Sequence, residues 1–68
     1  MRKMKCALVL KSRGPNTQAV NTIERAAGGD PSNPTPYTIT ITDCASCALS
    51  QTDFQNAGAT AECQAQPG

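Results

Sequence analysis

The sequence predicts an α+β domain, a small three-stranded sheet with two helices on one face, in the order β-α-β-α-β. Three observations carry that expectation. Residues 4–11 and 37–42 alternate with the period of half-buried strands, and an apolar stripe at helical spacing lies between them, closed by a double glycine. The chain has 68 residues, enough for one domain and one thin core.

In the first strand Met4, Cys6, Leu8 and Leu10 share one side, and Lys5, Ala7, Val9 and Lys11 the other. Ser12 to Asn16 is a turn punctuated by Gly14 and Pro15, and Asn16 or Thr17 brings a side-chain oxygen suited to capping a helix. On that helix Ala19, Val20, Ile23, Ala26 and Ala27 form the apolar stripe. Gly28-Gly29 stops it, because glycine takes the left-handed backbone of a helix C-terminus without steric cost. The stretch to Pro36 holds Pro31, Pro34 and Pro36 and reads as loop.

Tyr37, Ile39 and Ile41 then alternate with Thr38, Thr40 and Thr42, all good strand formers. Residues 44–57 read as a helix whose apolar members, Cys47, Ala48, Leu49, Phe54 and Ala57, make no single stripe. A second start at Ser50, with Asp53 three residues on, is the alternative. Ala59 to Gln64 reads as a third strand with Ala59, Ala61 and Cys63 on one face. The domain is accordingly expected over 1–64, with 65–68 a flexible tail.

So few large apolar residues make a core that needs a covalent staple, a metal or a partner chain. The cysteines are the obvious source, and three readings stand open. Cys6, Cys44, Cys47 and Cys63 have the number and type for a tetrahedral zinc site. Cys44-Ala45-Ser46-Cys47 has the spacing of a redox pair at a helix N-terminus. The four are otherwise buried thiols or disulfides. The apolar stretch after Lys5 is shorter than the roughly 7–15 residues of a secretory signal. A reducing cytoplasm is therefore expected, which favours thiols or zinc.

Net charge is +1, yet its distribution is split. Residues 1–23 hold Arg2, Lys3, Lys5, Lys11 and Arg13 with no acid, whereas 26–68 hold Asp30, Asp43, Asp53 and Glu62 with no base. Such a split suits a nucleic-acid or protein contact through the basic third, or edges that neutralise each other within the fold or across a dimer. No apolar run approaches the about 20 residues of a membrane span, so no membrane partner is expected. The chain has no histidine and no glycine-rich phosphate loop after a strand, and catalysis is not expected.

Val9-Leu10-Lys11-Ser12, with Gly14, Asn16, Ala19-Val20, Arg25 and Gly29, resembles the first strand and helix of the C-terminal domain of the bacterial ribosomal stalk protein. Ala57-Gly58-Ala59 followed by Glu62 resembles that domain's last helix-to-strand junction. The resemblance spans 9–29 and 57–62 and implies a compact α/β domain that binds translation factors. The sequence departs from the family at Asn21 and Glu24, where the family has aliphatic residues, and at Thr17 and Thr22, where it has lysines. The family's second helix has no counterpart between Gly28 and Pro36.

These observations favour a non-catalytic protein-binding module or inhibitor, of the kind encoded by phages and mobile elements. Lys11, Arg13, Asp30, Ser32 and Asn33 are its expected contact residues. The alternatives are an assembly subunit that pairs through the Thr-rich strand, a stalk-like factor-binding domain, and a precursor cut after Gly28-Gly29.

Overall fold

The alternation in the first strand decides the architecture. The computed structural model describes residues 5–41 and 43–66, so Met1, Arg2, Lys3, Met4, Thr42 and the last two positions of the expected tail lie outside the described residues. The elements follow in the order β1 (Lys5–Ser12), α1 (Thr17–Ala26), β2 (Tyr37–Ile41), α2 (Cys44–Asn56) and β3 (Thr60–Gln66). The strands form one antiparallel sheet ordered β2-β1-β3.

Opposed residues of paired strands share a face, and the register sorts the side chains cleanly. Cys6, Leu8 and Leu10 stand opposite Ile41, Ile39 and Tyr37 on one side and opposite Ala65, Cys63 and Ala61 on the other. The helices cover that face: Val20, Cys47 and Phe54 are buried with Leu8, Leu10 and Ile39 in one cluster. The opposite face carries Val9 and the exposed Thr38, Thr40, Glu62 and Gln64. The expected fold class is the observed one.

Helix α1 ends as its sequence predicts, with Ala27 as the cap and Gly28 at φ 86°. Its buried stripe is rotated from the expected one. Val20 and Glu24 are buried and Ile23 and Ala27 pack against the core, whereas Ala19 and Ala26 are exposed. Asn16 does not cap the helix; its side-chain amide donates instead to the carbonyl of Ala57 at 3.4 Å.

Helix α2 is continuous through Ser50, so the second start is not used. Asp43 caps it, accepting from the Ala45 backbone N–H and the Ser46 hydroxyl, each at 3.0 Å. Phe54 and Cys47 point into the core while Leu49 stays 70% exposed. The third strand starts one residue late and runs on to Gln66, with Ala65 opposite Cys6 and Gln66 opposite Lys5. Ala65 and Gln66 therefore belong to the sheet and not to a tail.

Gly14 joins two distant turns. Its φ is 70°, and a Cβ there would lie 2.1 Å from the carbonyl oxygen of Gly58. Only glycine lets the turn after β1 rest on the turn before β3. The two segments that resemble the stalk domain thus meet through their glycines.

Candidate functional site

The cysteines pair two by two. Cys6 of β1 is bonded to Cys44 at the start of α2, and Cys47, one turn further along, is bonded to Cys63 of β3. This corrects the zinc expectation, because a sulfur bonded to sulfur has no thiolate left for a metal. Among the described residues no group of three or more potential ligands could hold a metal ion. It also corrects the redox-pair reading, since Cys44 and Cys47 belong to different disulfides. Each disulfide ties α2 to a different strand, and the bonds are structural staples.

The residues expected to contact a partner fall into two places. Lys11 lies on the open face of the sheet, its Nζ 2.7 Å from Glu62 Oε2, in an ion pair exposed to solvent. Arg13, Asp30, Ser32 and Asn33 converge around the loop between α1 and β2. The structure brings these four together and leaves Lys11 apart.

Arg13 is the centre of that group, and it is not a free surface cation. Its Nε donates to Glu24 Oε1 at 2.9 Å and its Nη2 to Glu24 Oε2 at 2.8 Å, a two-pronged pair in which the Glu24 side chain is 0% exposed. Nη2 also donates to the backbone carbonyl of Asn33 at 2.6 Å and to that of Asp30 at 3.4 Å. The guanidinium lies 5.9 Å from the centre of the Tyr37 ring, close enough for a cation–π attraction. The Tyr37 hydroxyl donates to Glu24 Oε2 and accepts from the Asp30 backbone N–H at 3.0 Å.

A buried carboxylate is costly unless its oxygens are satisfied by charged or polar donors. Glu24 has both oxygens satisfied, and the Arg13 hydrogen bonds hold its carboxyl below the ordinary value of 4.5 against the opposing pull of burial. Burial, followed by the bond to Glu24, pushes the Tyr37 hydroxyl above its ordinary 10.0. Gly29 makes room for this cluster: a Cβ there would lie 2.6 Å from the Tyr37 hydroxyl and 2.9 Å from Glu24 Cγ.

The loop itself is a tight structure. Asn33 N–H donates to the Asp30 carbonyl at 2.9 Å. The Asp30 carboxylate accepts from the Ser32 backbone N–H at 3.0 Å and from its hydroxyl at 2.7 Å, an Asx turn. Those bonds from Ser32 hold the Asp30 carboxyl below its ordinary value. Arg13 thus grips the loop by its carbonyls from within, while Asp30, Ser32, Pro34 and Pro36 remain exposed on the outside.

Sequence reasoning found the loop and missed Glu24 and Tyr37 as its anchors. The signal was there: Glu24 falls four residues after Val20, on the inward side of α1, and a charge in that position demands an opposite charge nearby. No family model, curated protein or solved structure matches the chain. The stalk resemblance therefore rests on its two short motifs.

Proposed function

We propose that this chain is a non-catalytic protein-binding module, an inhibitor or adaptor that presents the 30–36 loop to a macromolecular partner. One observation carries the reading: a scaffold arginine, itself paired with a buried glutamate, fixes the backbone of an exposed, proline-containing loop. A loop ordered before binding loses little conformational freedom on contact, and this preorganisation is a main source of affinity at small interfaces. No helix among the described residues is long and apolar enough to cross a membrane. Two disulfides in so short a chain support an oxidising compartment in place of the expected cytoplasm.

The test keeps the scaffold and changes the displayed side chains. Ser32 and Pro34 would be replaced together by alanine, and near-ultraviolet circular dichroism would check that the fold survives. The immobilised wild-type chain is expected to retain a partner at fixed stoichiometry that the loop variant loses. Equal retention by both chains would move the contact elsewhere on the surface. A nucleic-acid partner would instead show binding that falls steeply with salt. Of the basic first third, Lys11 and Arg13 are paired with Glu62 and Glu24, so that reading rests on the remaining basic residues.

A further inference from the structure

The two edges of the sheet are treated differently. On β3, Cys63 N–H donates to Gln51 Oε1 at 2.7 Å and the Ala61 carbonyl accepts from Gln55 Nε2 at 3.1 Å, so two glutamines one turn apart on α2 occupy the strand's outer rim. Since Cys63 N–H points away from β1, its pair with Leu8 lacks ladder hydrogen bonds, and antiparallel pairing alternates from there. Val9 and Ala7 then bond towards β3, and Cys6, Leu8 and Leu10 towards β2. On β2 the backbone groups of Tyr37, Ile39 and Ile41 face β1, and those of Thr38 and Thr40 face outward. Neither threonine makes a further backbone or side-chain hydrogen bond among the described residues.

We propose that this open rim of β2 pairs with the same rim of a second copy of the chain, making a two-fold symmetric, six-stranded sheet. The strand Tyr37-Thr38-Ile39-Thr40-Ile41 is self-complementary in antiparallel register. With Ile39 opposite its own copy, each Thr38 faces a Thr40, and the N–H and C=O groups of both threonines exchange hydrogen bonds across the axis. Ile39 meets Ile39 on the helix-covered face, and Tyr37 meets Ile41. Proteins commonly guard open edges with charge, proline or a bulge within the strand, and β2 has none of these. The strands with charged side chains are β1, paired on both sides, and β3, whose rim is plugged at Ala61 and Cys63. The symmetry also explains why the occupant is a copy: the rim offers no charge or pocket to select a foreign peptide.

Sedimentation and native mass spectrometry of the oxidised chain, from micromolar to millimolar, test this together with hydrogen exchange at Thr38 and Thr40. The expected result is a doubling of mass with concentration and a parallel slowing of exchange at those two amides. Thr40→Pro removes an outward donor while leaving the ladder to β1 intact, a substitution edge strands tolerate, and Thr38→Lys sets like charges across the axis. Both variants are expected to keep the native circular dichroism and lose the dimer. A wild-type chain that stays monomeric throughout overturns the proposal, as does a dimer that survives in both variants. Protection of the two amides only by a segment of another protein would overturn self-pairing and assign the rim to a foreign strand.

Discussion

Helix α2 is held to its strands by covalent bonds, whereas α1 is held through buried Glu24, which pairs with Arg13 of the turn after β1 and accepts from Tyr37 of β2. The contrast follows from how little apolar surface either helix contributes. Within its span α1 buries Val20 as its one apolar side chain, and α2 buries Phe54 and the disulfide-bonded Cys47. Neither helix can be fixed by such a stripe alone in a domain this small. Two anchors of different chemistry complete the work, and they answer to different insults. Reductant attacks the first directly, and proton activity the second.

Reduction is the largest expected break. The chain-entropy account gives about 4 kcal/mol for a link closing 38 residues and about 3 kcal/mol for one closing 16. Against a total of roughly 5–15 kcal/mol for a folded domain, losing both leaves little or nothing. Circular dichroism in reductant should show the fold collapse; a reduced chain with native spectra would mean that the core alone suffices.

Arg13→Met comes next, because it strands a buried carboxylate. Removing one partner of such a pair costs about 3–5 kcal/mol, and urea denaturation of the oxidised variant should show a loss of that size. Hydrogen exchange sharpens the comparison: the Asn33 amide should lose protection before Ala57 and Ala59, whose amides donate to carbonyls in the last turn of α2.

Acid should reach the same half of the molecule by another route. The Glu24 pKa is lowered by folding, so its contribution is complete above the ordinary 4.5 and is lost as pH falls through the folded value. Tyr37 works in the other direction. Its pKa is raised, so its contribution is complete below 10.0 and is lost as pH rises through the folded value. Thermal melts of the oxidised chain should be flat near neutrality and fall at both extremes, and Glu24→Gln should flatten the acid limb. An unchanged acid limb in that variant would place the acid sensitivity elsewhere.

The smallest effect belongs to the covered edge. Gln51→Ala leaves Cys63 N–H without its partner and should cost about 1 kcal/mol in urea denaturation.

The strand and helix order was legible because its signals are local. Tyr37 to Ile41 alternates without interruption, and Gly28 and Gly58 stand just past the helices they end. The anchors were not legible, for a physical reason. Cys6 meets Cys44 only once α2 lies across the sheet, a contact spanning 38 positions that no spacing rule encodes. Arg13 and Glu24 are eleven positions apart across a turn: the place of Glu24 beside Val20 on α1 calls for a partner cation, but only the fold-back of the chain singles out Arg13. Gln51 and Gln55 look like solvated polar residues on a helix, and their role depends on β3 passing beside them. The loop residues Asp30, Ser32 and Asn33 were picked out by prolines and position, yet what makes the loop rigid lies underneath it.

Arg13 holds the loop through main-chain oxygens, which every amino acid carries. That grip does not depend on which side chain stands at an exposed position outside the Asp30–Ser32 turn, Pro34 among them. Substitutions there change what the loop says without changing how it stands. A surface of that kind can drift from one target to another by single mutations, each step remaining folded, and it can be randomised in the laboratory on the same terms.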